Sequence, residues 1–529
     1  MTADSSKTYT LTVSEGKTEK KITAQGGESI LSALRSAGFQ EPAAPCDGLG
    51  RCGACLVRIT GTISPLSGAH TCRTVQDEEL PACRWRPAGD CTITLPQRAA
   101  ARTLMTGAEN ISPRGEGLGL AVDIGTTTVA CFLYDLSSGR FLGAYGGRSA
   151  QRAFGADVLS RIRHCSSSDG QEQLTALIRE QILDLAQKLC RNTNHRTEDI
   201  QRVSIAGNTT MQHIFAGLSP VSLGTAPFTP LSLFGLEQDA SDFFPGFAPG
   251  AVLYLTPALA GYVGGDVTAG LYASGSAEED GLCLYLDIGT NGEMGLGNKN
   301  GFLCCAAAAG PAFEGAEISC GMDASDGAVD RVYLKNGIPV PHVLGNVPAR
   351  GLCGSGLIDA AAALLTCGAM TPSGRLLPPE EAPEALQPFL RRDEKGFPRF
   401  YLTEEVYVSS QDLRELQLAK AALRAGAETL LSLCGKNPED IDSLLIAGGF
   451  GAYMDLDSAL RIGLLPPVPK DKIRHVGNAA GAGAALALDP DKRAELETFS
   501  ACCSYHELSG SELFSELYLE NMSFEEDEE

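Results

Sequence analysis

The chain has 529 residues; 42 are Lys or Arg and 65 are Asp or Glu, a formal net charge of −23, with 43% hydrophobic and 20% charged residues. That length predicts about three or four domains with well-buried cores. So acidic a chain repels phosphate backbones and anionic lipids, which argues against nucleic-acid binding; an electropositive partner, or a cofactor protein with a basic face, suits the charge better, although solubility alone would also explain it.

The opening MTADSSKTYT lacks the basic and apolar regions of an export signal, and no apolar run is long enough to span a membrane. A cytoplasmic location with no membrane partner is therefore expected. The 18 Cys are then not a disulfide framework. Most of them, Cys131, Cys190, Cys283 and Cys434 among them, read as small buried hydrophobes. The exception is a cluster near the N-terminus.

Residues 1–96 read as one small domain, rich in strands and carrying one helix. Tyr9, Leu11 and Val13 alternate, a turn follows at Ser14-Glu15-Gly16-Lys17, and a second strand runs through Ile22. Ser29 to Phe39 has helical spacing, with Ile30, Leu31 and Leu34 on one stripe. Strands are expected at Leu56–Ile59 and Cys91–Leu95. This order matches a β-grasp.

Between them, CDGLGRCGAC sets Cys46, Cys52 and Cys55 as C-x5-C-x2-C, and Cys83 follows in Leu80-Pro81-Ala82-Cys83-Arg84. Four thiolates are what a [2Fe–2S] cluster needs, and Gly48, Gly50 and Gly53 let a loop wrap it without Cβ clashes. A four-cysteine zinc site is the alternative, but zinc sites usually pair two C-x2–4-C knuckles and only one is present. Cys72 competes with Cys83 for the fourth position. The Leu-Pro-Ala-Cys context resembles the fourth-ligand strand of plant- and adrenodoxin-type ferredoxins and favours Cys83, leaving Cys72 and Cys91 as non-ligands.

Residues 97–117 lack periodicity and read as a linker. Beyond them the chain repeats itself. GLGLAVDIGTTTVACFLYD (117–135) resembles GLCLYLDIGTNGEMGLGN (281–298). In each half a leucine-striped helix (Leu174, Leu177, Ile178, Ile182, Leu185, Leu189; then Leu413, Leu416, Leu423, Leu430, Leu433) precedes a strand ending in Ile-Ala-Gly. Alternating strands and helices predict α/β layering in two subdomains, 118–280 and 281–529, with a cleft between them. The acidic end, Gly510 to Glu529, reads as a solvated tail.

Asp123-Ile124-Gly125-Thr126-Thr127 and Asp287-Ile288-Gly289-Thr290-Asn291 each put an acid at a strand end, then Gly and hydroxyl or amide donors. Such turns suit phosphate binding, and two acids suit a hydrated Mg2+. Gly448, Gly449 and Phe450 fit a loop for adenine to rest on. Gly264-Gly265-Asp266 and Gly477-Asn478-Ala479-Ala480-Gly481 precede small-residue helices suited to close packing at a hinge.

Together these segments resemble the superfamily of acetate and sugar kinases, chaperone ATPases and actin (the ASKHA, ribonuclease H-like fold). In its terms the two DIGT segments are phosphate-1 and phosphate-2, IAGGFG is the adenosine motif, and the small-residue segments are the connect motifs. With the ferredoxin-like domain in front, the chain resembles the reductive activators of corrinoid proteins, also called O-demethylase activating enzymes. Further family-like segments are Gly155–Ile162, Gly310–Gly315 with Ile318–Gly321, and Gly351–Gly356. The resemblance implies ATP-dependent one-electron reduction of Co(II) to Co(I) in a corrinoid protein, with Asp123 and Asp287 as the catalytic acids. It also implies an upstream low-potential electron donor, leaves a homodimer open, and lets the Gly310–Gly321 loop face the corrinoid.

A plant-type cluster lies near about −400 mV, and the corrinoid couple is harder to reduce. Each ~59 mV of one-electron mismatch costs tenfold in equilibrium, which gives ATP its purpose. The rival readings are an activator of a radical dehydratase, against which the N-terminal cysteine loop counts, and a ferredoxin carrier with a nucleotide-sensing body. A sugar or acid kinase is the simplest reading of the body alone.

Overall fold

The computed structural model describes residues 7–15, 18–37, 39, 56–66, 72–95, 110–155, 157–315, 317–451 and 454–524. The chain divides into two units, residues 1–99 and 100–529.

In the first unit, alternation builds strands β1 (Thr8–Glu15) and β2 (Thr18–Gln25), followed by helix α1 (Ile30–Ser36) and strands β3 (Leu56–Pro65), β4 (Arg73–Pro81) and β5 (Trp85–Thr94). They form one sheet in the order β2-β1-β5-β3-β4. β1 runs parallel to β5, with Leu11 opposite Cys91, and the other pairings are antiparallel. Ile30, Leu31 and Leu34 bury the helix against Leu11, Val57, Ile59 and Ile93. This is a β-grasp. The helix is shorter than the expected Ser29–Phe39, although Phe39 still donates its backbone N–H to Leu34.

The second unit repeats one design. Its first half runs β6 (Leu118–Ile124), β7 (Thr128–Asp135), β8 (Arg140–Arg148), α2 (Val158–His164), α3 (Ser168–Asn192), β9 (Ile200–Gly207), α4 (Thr209–Ala216), β10 (Leu236–Asp239), β11 (Val252–Leu255) and α5 (Gly265–Ala273). The second begins β12 (Cys283–Ile288), β13 (Gly292–Asn298) and β14 (Gly301–Ala307). Two small three-stranded sheets follow: β15 (Ala328–Lys335), β16 (Ile338–Val343) and β17 (Gly351–Leu352); then, after α6 (Gly354–Thr366), β18 (Leu390–Arg392), β19 (Pro398–Tyr401) and β20 (Tyr407–Ser409). The chain continues through α7 (Ser410–Leu433), β21 (Ser443–Ala447), α8 (Gly448–Gly451), α9 (Leu456–Arg461), β22 (Ile473–Gly477), α10 (Ala479–Leu486), α11 (Pro490–Ala501), β23 (Ser504–Tyr505) and α12 (Glu512–Glu520).

The sheet orders are β10-β11-β9-β6-β7-β8 and β22-β21-β12-β13-β14-β23. In each, a central strand opens an antiparallel meander on one side and pairs in parallel on the other. The registers correspond: Asp123 lies opposite Ala206 of β9, and Asp287 opposite Ala447 of β21. The helices α3 and α7 fill matching places, and their starts are capped by Ser167, which accepts from Gly170, and by a Ser409/Asp412 capping box. On α3 the buried stripe is Leu174, Ile178, Ile182, Leu185 and Leu189. Each such leucine contributes roughly 1.5–3 kcal/mol on burial.

The inner faces of the two sheets are covered crosswise. On the first sheet, Ala480, Ala484 and Leu488, from α10 and the chain just after it, pack over Ala121, Ala130, Phe132 and Tyr134. On the second, Val267 and Leu271 of α5 pack over Cys283, Tyr285, Leu445 and Ala447. Each half thus lends a helix to the other's sheet. α11 follows α10 onto the first half, where Tyr254 donates its hydroxyl to Glu497 at 3.1 Å and Arg493 pairs with Glu237 of β10.

Several expectations are corrected. The tail is docked as far as Phe524: α12 lies on α7, Phe524 is buried, and Lys420 sits over its ring. Acidity disguised an anchoring aromatic. Residues 110–117, assigned to the linker, bond to the β7–β8 turn through Ile111 and Arg114, which donate their backbone N–H groups to Gly139 and Leu136. Leu433 is 46% exposed, because α7 ends there, and Cys434 beyond it is exposed too. The loop expected at Gly448, Gly449 and Phe450 is instead the helical turn α8.

Candidate functional site

Both DIGT segments are hairpin turns at the ends of mirrored strands. Gly125 donates its N–H to the Thr128 carbonyl at 2.9 Å, and a Cβ there would stand 2.7 Å from that same oxygen, so the turn demands glycine. Gly289 donates likewise to Asn291 at 3.0 Å, but a Cβ there would meet only one protein atom, at 3.6 Å. The protein itself leaves space at Gly289.

The first turn is held from behind. Asn208, the cap of α4, donates from Nδ2 to the Thr126 hydroxyl at 3.0 Å, and Arg161 of α2 donates to the Thr126 carbonyl. Arg161 is fully buried; burial pulls its pKa down to about 10, helped by Arg152 and opposed by Asp157. Thr127 and Thr290, one from each turn, both donate to a single carboxylate, Glu314: Thr127 at 3.0 and 3.1 Å, Thr290 at 2.6 Å.

Four carboxyl groups lie within electrostatic reach of one another at the inner faces of the two sheets. Asp123 is the penultimate residue of β6 and Asp287 of β12, Glu293 sits opposite Asp287 on β13, and Asp266 lies in the first turn of α5. Each is half-buried by accessible surface, yet protein atoms surround it closely. Burial first, then the neighbouring charges of Asp266 and Asp123, push Asp287 up to about 7. Burial and Asp266 push Asp123 up to about 7, against the Asn478 hydrogen bond that lowers it. Asp266 rises to about 6 through burial, and Glu293 rises well above the carboxylate range through burial, Asp266 and Asp287. A cation beside such carboxylates would relieve the repulsion that lifts them. The donor set fits a hydrated Mg2+ held through Asp123 and Asp287. Among the described residues no three His, Cys, Asp or Glu already stand together as a ligand group. That accords with an ion that uses one or two carboxylates and takes its other ligands from water and phosphate.

Within each half a glycine lets backbone close in beside this floor. Gly264 caps α5, and a Cβ there would lie 2.5 Å from Asn208 Cα. Gly448 has φ +87°, and its Cβ would lie 2.7 Å from Asp287 Oδ1, so the end of β21 abuts the second acid. Gly449 is exposed on the turn, and the backbone of Phe450 completes it.

Of the four predicted cluster ligands, Cys46, Cys52 and Cys55 lie outside the described residues. Cys83 is buried in the turn between β4 and β5, rather than on a strand, beside Ala82, whose carbonyl accepts from Leu31 of α1. Cys91 faces the sheet interior; burial and Asp90 push its thiol up to about 11, and its Sγ donates to Thr62 and Gly89 carbonyls. It is a poor thiolate donor. Cys72 is half-buried just before β4.

Glu314, Glu293, Asn208 and Arg161 were not singled out as site residues in the sequence. Asn208 carried a usable signal: it follows Ile-Ala-Gly where the second half has Gly449. Glu293 carried another, two residues past the second DIGTN.

Comparison with known proteins gives the family. Residues 13–88 match the 2Fe-2S iron-sulfur cluster binding domain, residues 118–279 the RACo middle region, and residues 281–529 the C-terminal domain of RACo, the ASKHA domain. The first match spans Cys46, Cys52, Cys55, Cys72 and Cys83 and stops short of Cys91. The corrinoid activation enzyme RamQ of Eubacterium limosum is 34% identical over 421 residues, 77% of this chain and 70% of RamQ. A reductase of Methanosarcina barkeri, named for a methylated amine-specific corrinoid protein in the Co(II) state, is 26% identical over 61% of this chain and 63% of its own. A solved reductive activator for a corrinoid, iron-sulfur protein superposes with a TM-score of 0.70 at 30% identity, covering 98% of both chains. With a mirrored ASKHA body behind a two-iron binding domain, and relatives of this closeness, the chain belongs to the RACo family, the reductive activators of corrinoid proteins.

Proposed function

We propose that this chain returns the inactive Co(II) form of a corrinoid methyl-transfer protein to Co(I), one electron at a time, at the expense of ATP bound with Mg2+ between the two halves. The observation that carries this reading is the mirrored pair Asp123 and Asp287, brought to one floor with Asp266 in a chain that also has a two-iron binding domain. A [2Fe–2S] cluster held by Cys46, Cys52, Cys55 and Cys83 would supply single electrons at low potential, reloaded by an upstream low-potential donor.

The chain's own part is mechanical and electrostatic. Asp123 and Asp287 hold the hydrated cation and orient the terminal phosphate between Gly125-Thr126-Thr127 and Gly289-Thr290-Asn291. Gly264, Gly448, Gly449 and Phe450 bound the space left for the nucleoside. Drawing the two turns onto one phosphate moves the halves about the α5–α10 contact. That motion changes how the body grips the corrinoid protein, and the grip biases an otherwise uphill transfer. The setting proposed is cytoplasmic, in an O-demethylase type of methyltransferase system, with neither nucleic acid nor membrane as partner.

The test follows corrinoid absorbance anaerobically with the reduced protein, with and without Mg2+–ATP. The expected outcome is Co(I) formation only with nucleotide. Asp123→Asn and Asp287→Asn should each lower ATP turnover about 100-fold or more while leaving the cluster absorption unchanged. Equal cobalt reduction without ATP would sink the reading.

A further inference from the structure

The loop after β14 enters the cleft with its own carboxylate. Ala312 and Phe313 are buried in the core of the second half, and Glu314 at the end of this short turn reaches the hydroxyls of both phosphate turns. Thr127 belongs to the first half and Thr290 to the second, so one side chain joins the halves across the nucleotide seat. The same loop makes a second link further along, where Asp323 pairs with Arg148 at the end of β8. That pair is solvent-exposed and contributes little by itself. The Glu314 link is half-buried and charge-assisted.

Two hydroxyl donors converging on an anionic oxygen is the arrangement a terminal phosphate would use. We infer that Glu314 is a built-in phosphate surrogate: its carboxylate competes with the nucleotide's terminal phosphate for the hydroxyls of Thr127 and Thr290, holds the two turns together, and must be displaced for Mg2+–ATP to bind. This rests on the nucleotide reading proposed above and adds regulation to it. Displacement frees Glu314 and with it the loop from Pro311 to Asp323, the segment that otherwise bridges the halves. Nucleotide entry would thereby unlatch one connection as it builds another, and the affinity for ATP is set partly by the strength of the latch.

A surrogate predicts tighter nucleotide binding together with lower stability in one variant. Glu314→Gln removes the charge that repels phosphate and weakens the acceptor that holds Thr127 and Thr290. The Kd for Mg2+–ATP, by calorimetry on the full-length protein, should fall about tenfold, in line with loss of charge-assisted hydrogen bonds to the competitor. The melting temperature of the same variant without nucleotide should fall slightly. Glu314→Ala, which leaves no acceptor at all, should share both signs. Inorganic tripolyphosphate should show the same gain, since the competition concerns phosphate alone. Unchanged or weaker binding by both variants, while the parent protein binds ATP, would overturn the surrogate and make Glu314 a structural or catalytic group. If the parent chain itself binds no nucleotide, the surrogate falls together with the reading beneath it.

Discussion

Asn478 donates from Nδ2 to Asp123 Oδ2 at 3.0 Å, while its Oδ1 accepts from the Gly481 N–H at 2.7 Å. One side chain thus caps α10 and steadies the first acid, although the two residues lie 355 positions apart. Replacing Asn478 with Ala should cost the helix cap about 1 kcal/mol and raise the proton affinity of Asp123, whose hydrogen bond is its lowering influence. Chemical unfolding checks the first, and the pH dependence of ATP turnover checks the second. An acidic limb shifted to higher pH is the expected sign; an unmoved profile would mean the bond does not tune the acid.

Burial lifts the folded-state pKa of Asp287 from 3.8 to about 7. The native state therefore holds that proton more tightly than the unfolded chain. This group's contribution is most favourable below about pH 4 and is lost as pH rises toward 7. Asp287→Asn escapes the loss. Without Mg2+, the variant should gain on the parent protein between these limits by roughly 1.4 kcal/mol per pH unit crossed. Denaturant curves at several pH values read the gap, and Mg2+ should narrow it. A gap that stays constant with pH counts against a strained carboxylate.

The contact between α5 and α10 leaves no room for a methyl group. A Cβ on Gly483 would lie 2.2 Å from the Ala269 carbonyl, a backbone atom that cannot step aside. Gly483→Ala should destabilise the body by about 1–3 kcal/mol and slow ATP turnover more than it weakens ATP binding. Thermal melts and steady-state kinetics separate the two effects. Wild-type stability would show that the helices sit further apart.

Cys83 and Cys72 are distinguished by one pair of variants. Cys83→Ser should abolish the two-iron absorption of the purified protein, whereas Cys72→Ser should leave it intact. The reverse result would move the fourth ligand eleven residues upstream.

The duplication was legible because buried central strands demand continuous apolar runs, and Val122-Asp123-Ile124 and Leu286-Asp287-Ile288 announce themselves against them. The leucine stripes of α3 and α7 were equally plain. β4 was not: it is an edge strand in which Val75 is the buried hydrophobic, so Arg73, Asp77 and Glu78 hide the alternation. Charged edges resist stray pairing and erase the pattern in the same stroke. The docked end escaped notice for a similar reason, since one buried Phe524 outweighs its acidic neighbours. Within the site, the acids at strand ends could be read, but Glu314 could not. Its meaning comes from two threonines 187 and 24 residues away, and no local period encodes that.

The crosswise exchange of α5 and α10 has a consequence for dissecting the gene. A cut near residue 280 would strip each sheet of the helix that roofs it, exposing Phe132 and Tyr134 in one fragment and Tyr285 and Leu445 in the other. Neither piece is a freestanding module; they are interlocked like clasped hands, and their separate expression would yield sticky, insoluble products that only co-production could rescue.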